Sequence, residues 1–256
     1  MEGDASCGQS AGGKMTSPDQ NATGFLDRSP DYLRYENQSR DPDDVGMKLA
    51  SLIRPKSRIL DVGCGTGSIT ELIERETGAS IVGIEPDPER VAVARERGLN
   101  VVEGILSLEF LEQFGPFETI LFADVLEHLP NPGEQILLAK AGLAADGSIL
   151  ASVPNIAHWF TRVNLLRGRF VYRDCGIMDA THLRWFTRDT LHKFFENLGF
   201  RVTDHLYTVN TGMIDYYPSI PWKWLPIDIR YWVIRRLARR FPTLFGCQHV
   251  VKAVPR

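Results

Sequence analysis

Asp61-Val62-Gly63-Cys64-Gly65-Thr66-Gly67 follows the apolar run Ser57–Leu60 and leads into a helical pattern over about 67–77. A glycine-rich turn between a strand and a helix lets the backbone approach a ligand closely and adopt positive φ. It also points the unpaired N–H groups of the helix start toward that ligand. In an open α/β sheet such a turn lies at the carboxyl edge of the strands, where ligands bind. Three features narrow the ligand. The spacing is G-x-G-x-G behind an acid, not the simpler G-x-G-x-x-G dinucleotide fingerprint. Glu85 ends the next apolar run, 24 residues after Asp61, where a carboxylate can bind both hydroxyls of an adenosine ribose. Ala123-Asp124 ends the fourth apolar run at the same rim.

Working outward, short apolar runs alternate with helical patterns as far as about residue 154. Runs 57–62, 80–85, 100–102, 119–123 and 148–153 read as buried strands, with helices at about 67–77, 87–97 and 132–145 between them. Asn131 is placed to cap the third helix, with Pro132 at its first position. Strand–helix alternation implies a parallel sheet covered on both faces, because parallel strands need crossover connections. Beyond Pro154, residues 155–186 form a polar and aromatic stretch with little periodicity, and long non-periodic connections often carry function. Thr187 then caps a helix over about 188–198 that stops at Gly199, and strands follow at about 200–207 and 247–254. The segment 208–245 between them reads as a helical insert.

These residues resemble the class I S-adenosylmethionine-dependent methyltransferases, over roughly 45–205. The resemblance implies a Rossmann-like fold, a seven-stranded, mostly parallel sheet with helices on both faces, and S-adenosylmethionine as cofactor. Asp61, Gly63, Gly65 and Gly67 match the motif that binds the methionine end and sulfonium side of that cofactor. Glu85 matches the ribose-binding acid, and Pro86 and Asp87 fall where the adenosine pocket is lined. Asp124 is a further cofactor contact at the strand-four rim. Where many relatives carry Gly-Asp after the third strand, this chain has Gly104-Ile105, so that adenine contact is absent or passes to Glu103.

The methyl acceptor is written elsewhere. Enzymes that methylate an amino group of adenine or glutamine carry Asn/Asp-Pro-Pro-aromatic after strand four, and here Asp124-Val125-Leu126-Glu127-His128 stands there. No cysteine follows a proline in the manner of a cytosine C5 enzyme. Asp124, Glu127 and His128 are spaced i, i+3, i+4, which places them on one face of a helical turn, and the segment resembles one in ubiquinone-biosynthesis O-methyltransferases, in which the matching residues have been linked to a divalent metal. The alternative is a helix-start element in which His128 packs and caps, and on that reading no metal is expected. An O-methyltransferase needs a base for the acceptor hydroxyl, and His128, His182 and Asp124 are the catalytic candidates. His158 is another histidine flanking the acceptor mouth. The pattern around Asp179-Ala180-Thr181-His182-Leu183-Arg184-Trp185-Phe186-Thr187 is similar to small methyltransferases that decorate sugars, polyketides and lipids. The expected acceptor is therefore a small molecule, sugar or lipid-like alcohol. A non-catalytic methyltransferase-like binding module is the main alternative, and a nicotinamide oxidoreductase fits the glycine spacing less well.

Bulk properties agree with such an enzyme. The chain has 256 residues, 43% hydrophobic and 24% charged, with a formal charge of −3. That suits one domain over 25–256 and gives no general attraction to nucleic acid. Residues 1–24 are polar and small, a composition expected of a flexible tail without a signal-peptide core. Cys7, Cys64, Cys175 and Cys247 lie far apart in sequence, without ligand-like spacing, so a reducing, cytoplasmic setting is expected. Arg230, Arg235, Arg236, Arg239 and Arg240 crowd the amphipathic stretch 226–242, beside Trp222, Trp224 and Trp232. That composition resembles an interfacial helix and suggests peripheral membrane contact through 222–241, against the plainer reading of a covering lid helix.

Overall fold

Burial along the strands explains the architecture. The computed structural model describes residues 39–173, 175–209 and 224–256. Helix α1 (Val45–Leu52) leads into β1 (Arg58–Val62), α2 (Ser68–Thr77), β2 (Ser80–Glu85), α3 (Pro88–Glu96) and β3 (Val101–Glu103). Next come α4 (Leu108–Phe114), β4 (Phe117–Ala123), α5 (Pro132–Ala141), β5 (Leu143–Pro154) and α6 (Trp159–Leu166). The chain continues through α7 (Arg188–Asn197), β6 (Phe200–Tyr207), α8 (Ile227–Arg240), α9 (Pro242–Phe245) and β7 (Gln248–Pro255).

The seven strands form one sheet in the order β3-β2-β1-β4-β5-β7-β6. Only β7 runs against its neighbours, pairing antiparallel with both β5 and β6. Successive residues serve opposite faces. Leu60, Ile120, Ile149 and Val251 join one core with Phe117, Phe195 and Phe200. Ile59, Leu121, Leu150 and Val250 join the other, beneath α1 and α2. This alternation makes the buried strands largely apolar on both sides and holds helices on both faces. Each fully buried Leu, Ile or Phe contributes about 1.5–3 kcal/mol. β1 lies between β2 and β4, so the chain builds β2 and β3 on one side of it and returns to add β4 on the other, and this reversal opens a crevice at the carboxyl ends of those strands.

Local chemistry sets the element ends. Thr187 caps α7, accepting from Thr190 N while the Thr190 hydroxyl accepts from Thr187 N. Asn131 precedes α5 without a side-chain cap bond, and its amide donates to Glu134 instead. The predicted helix 132–145 stops at Ala141, because Leu143 begins β5. Gly142 sits where a Cβ would lie 2.4 Å from Leu111 Cδ2. Helices α1, α4 and α6 were not anticipated, and α6 lies inside the stretch read as non-periodic. The predicted tail, Asp174, Trp222 and part of the 208–245 insert lie outside the described residues. Cys64, Cys175 and Cys247 form no disulfide among the described residues, and no described helix is long and apolar enough to cross a membrane.

A ladder of histidines ties α7 to the antiparallel edge. His192 Nε2 lies 2.7 Å from His205 Nδ1, and His205 Nε2 lies 3.0 Å from His249 Nδ1. Burial, reinforced by the neighbouring histidines, pushes His205 down to about 4 and His249 down to about 3. The fold thus holds neutral rings that the unfolded chain protonates near pH 6.5. Stability present above that pH is lost as pH falls toward the folded values. Urea midpoints should decline from pH 7 to pH 4, and His205→Phe should flatten the decline by about one proton's worth of slope. An unchanged slope in that variant would contradict the neutral ladder.

Candidate functional site

The crevice is built from the ends of β1, β2 and β4. At the end of β1 the chain turns through Gly63, Gly65 and Gly67, with φ of 69°, 59° and 80°. L side chains rarely adopt these angles. Packing fixes two of the three. A Cβ on Gly67 would stand 2.1 Å from Leu99 Cδ1, and one on Gly63 would stand 3.0 Å from Val125 Cγ2. Gly65 faces open space, with nothing within 4 Å of a Cβ. The outermost glycine therefore leaves room for a ligand, while the other two seat the loop.

Glu85 holds that loop in place. Its Oε2 accepts from Gly65 N at 2.9 Å and its Oε1 from Asp87 N at 3.1 Å. A carboxylate has about four lone-pair sites, so capacity remains for hydroxyl donors. Pro86 is exposed beside it. The Asp87 side chain caps α3, accepting from Glu89 N and Arg90 N. Ile105 is 74% exposed beyond Gly104, whose N–H donates to Glu85 O. Apolar surface thus stands where the sequence resemblance led to the expectation of an acid.

Asp61 is buried beneath the loop. Thr70 Oγ1 donates to its Oδ2 at 2.7 Å, and its Oδ1 is buried without a hydrogen-bond partner. Burial raises its pKa to about 7, with Glu85 adding to the rise and Thr70 opposing it. A half-satisfied carboxylate at this depth suits a polar or cationic ligand group.

The acceptor side departs from the sequence reading in how its residues group. Asp124, Glu127 and His128 were expected on one face of a helical turn, but Leu126–His128 is a single 3-10 turn. Asp124 has φ of 54°. Its carboxylate accepts from Ser152 Oγ at 2.8 Å and from Gln248 Nε2 at 2.9 Å. It therefore clamps β4 to β5 and β7. Ser152 and Gln248 were not singled out from the sequence, and no local signal marks them.

Glu127, His128 and His182 come together instead, one potential ligand atom from each lying within 4.8 Å of the others. His128 Nδ1 lies 3.2 Å from Thr181 O, and His182 Nδ1 lies 3.3 Å from Ile177 O. A carbonyl can only accept, so both rings carry the proton on Nδ1 and present Nε2 as the basic nitrogen. The Glu127 backbone carbonyl accepts from Leu183 N and Arg184 N, which docks the 155–186 segment onto the 3-10 turn. The Glu127 side chain is 1% exposed, and neither carboxylate oxygen has a hydrogen-bond partner. Burial, then the charges of Asp124 and Asp179, hold its pKa well above the usual carboxylate range. These three residues could hold a divalent cation.

His158 takes a structural place. It is fully buried, it caps α6 by accepting from Phe160 N at 3.4 Å, and burial lowers its pKa to about 4.

Similarity to known proteins agrees with this geometry. A family profile described as a methyltransferase domain matches residues 33–205. The ubiquinone biosynthesis O-methyltransferase of Xanthomonas euvesicatoria pv. vesicatoria (strain 85-10) is 38% identical over 105 residues, 39% of this chain and 44% of that protein. Its counterpart from Xylella fastidiosa (strain 9a5c) is 36% identical over 105 residues, 39% and 42% of the two chains. The chain thus spans less than half the length of these curated relatives. Among solved structures, a SAM-dependent methyltransferase from Archaeoglobus fulgidus aligns at TM-score 0.55 and 23% identity, covering 81% of this chain and 91% of that one. One from Geobacter sulfurreducens, in complex with S-adenosyl-L-homocysteine, aligns at 0.50 and 17%, covering 86% and 94%. At these identities the structural likeness establishes the fold. The profile spans more than half of the chain, and with it the relationship is plain: the chain belongs to the methyltransferase-domain family, on a fold shared with SAM-dependent methyltransferases.

Proposed function

We propose that this methyltransferase acts on a hydroxyl oxygen of a small-molecule acceptor, with His128 as general base and His182 beside it. The observation that carries this reading is the pair of adjacent imidazoles, each with Nδ1 on a backbone carbonyl, which makes Nε2 the basic nitrogen of each ring. Partial similarity to ubiquinone-biosynthesis O-methyltransferases supports an oxygen acceptor over a nitrogen one.

S-adenosylmethionine supplies a methyl group on a positively charged sulfur and leaves as a neutral thioether. Glu85 would take the ribose hydroxyls, Gly65 would let the backbone lie against the cofactor, and Asp61 would answer its cationic end. Asp124 is assigned to positioning, because its carboxylate is already held by Ser152 and Gln248. His128 Nε2 would accept the hydroxyl proton as the oxygen forms its bond to carbon. A general base of this kind contributes typically 10²–10⁴-fold. The 155–186 segment would exclude water and align the acceptor, and alignment is the larger part of an in-line displacement.

A second reading is favoured by Glu127. A buried carboxylate with neither oxygen hydrogen-bonded fits a divalent cation held with His128 and His182 Nε2. Such a cation would supply Lewis acidity to an acceptor hydroxyl, and His128 would then be a ligand in place of a base.

Three outcomes test these assignments. Gly65→Ala should weaken S-adenosylmethionine binding in calorimetry at a stability cost of about 1 kcal/mol. Gly67→Ala should mainly lower the melting temperature, because its Cβ meets Leu99. Equal effects on binding would contradict the open position of Gly65. Affinity for the cationic cofactor should fall about tenfold from pH 8 to pH 6 as Asp61 takes up a proton, and less for the neutral demethylated product. A pH-independent affinity would contradict that role for Asp61. Labelled-methyl transfer into cell-extract acceptors should drop at least ~10-fold in His128→Ala. If neither that variant nor His182→Ala slows transfer, the base assignment is wrong. Loss on chelation, restored by added divalent cation and mimicked by Glu127→Gln, would select the metal reading.

A further inference from the structure

We infer that the outward face of α8 docks onto an anionic membrane surface, making the protein a peripheral membrane enzyme. The inward face of α8 already meets the demands of the fold. Ile234 and Ala238 are buried there in a cluster with Val209 and Phe245. An amphipathic covering helix needs no further apolar residues. Yet α8 also exposes two large apolar residues, Ile229 and Trp232, on the side facing away from the domain.

Ile229 is 45% exposed, Trp232 is 60% exposed, and Trp224, one turn ahead of the helix, is 83% exposed. At 100° per residue, Ile229, Trp232, Arg236 and Arg239 follow one another along the same outward face. Arg236 lies over the Trp232 ring, 5.5 Å from its centroid, and Arg240 lies over Phe241 at 4.9 Å. Indole and guanidinium groups side by side match the chemistry of a headgroup layer, with apolar rings entering the acyl boundary and cations meeting phosphate.

Arg235 is different. It pairs with Asp41 and, at 3.3 Å, with Asp43, and so anchors the helix to the segment ahead of α1. The outward arginines are Arg236, Arg239 and Arg240, all exposed. A helix C-terminus favours cations, which accounts for Arg239 and Arg240, but not for Arg236 or for the exposed indoles. A second copy of this chain seated on the same face would oppose arginine to arginine, whereas an anionic bilayer is complementary to it. No described helix can cross a membrane, so the contact is interfacial.

The test uses the full chain and reads binding without turnover, so it succeeds or fails independently of the acceptor assignment. The protein is sedimented with vesicles of phosphatidylcholine alone and with vesicles that are roughly one-third phosphatidylglycerol. Retention is expected on the anionic vesicles only. Replacing Arg236, Arg239 and Arg240 together with glutamine, leaving Arg235 in place, should weaken it by on the order of 100-fold. Trp232→Ala should weaken it by about tenfold. Unchanged melting temperatures would show that both variants keep the fold. The inference is overturned if the wild type binds neither vesicle or binds both alike. It is also overturned if the glutamine variant binds as the wild type does, or if light scattering shows a dimer that Trp232→Ala dissolves.

Discussion

Because β1 lies between β2 and β4, the chain builds outward from it through β2 and β3 and then returns past it to β4 on the other side, and the candidate site lies at that reversal. The crossovers after β1 and β4 diverge, which opens a crevice at the carboxyl ends of these strands. The glycine turn after Val62, Glu85 at the end of β2, and Asp124 after β4 meet at this edge. The hydrogen bond from Gly65 N to Glu85 joins two of these strand ends directly. The clamp of Ser152 and Gln248 on Asp124 joins the third to β5 and β7.

The electrostatics of the crevice match the proposed chemistry. Asp61, Glu127 and Asp124 all have carboxyls raised by burial, and among the described residues none of them is in an ion pair. Uncompensated buried carboxylates are costly, and the cost falls when a cation arrives or when the group takes a proton. A sulfonium at the glycine turn would relieve Asp61. On the proposed readings, Glu127 would be relieved either by a proton or by a divalent cation shared with His128 and His182. The acceptor half of the site is therefore defined by which of these satisfies Glu127.

The placement of Asp61, the three glycines and Glu85 at one sheet edge was legible in sequence because its signals are local. An acid with three glycines at a strand end, and a second acid at the end of the next strand, place themselves once the strands are recognised. The sheet followed from the same runs, whereas the short helices α1, α4 and α6 gave too few turns to register. The acceptor half depends on contacts that sequence spacing hides. Gln248 reaches Asp124 from 124 residues away. His182 arrives beside His128 because Leu183 N and Arg184 N bond to the Glu127 carbonyl. The i, i+3, i+4 reading of Asp124, Glu127 and His128 assumed an α-helical turn where the chain makes a 3-10 turn. His158, a candidate by proximity to the mouth, is a buried helix cap. The arginine-rich stretch was correctly read as an amphipathic helix, but sequence could not separate Arg235, tied to two aspartates, from the arginines that face outward.

The most direct test of the account is the product itself. Methyl-labelled S-adenosylmethionine is incubated with the full chain and cell extract, and the labelled species are identified by mass spectrometry. The account predicts a labelled methyl ether on a small molecule, formed only with active protein. Label on nitrogen or carbon would contradict the oxygen assignment. No transfer, together with no calorimetric binding of the cofactor, would contradict the central claim.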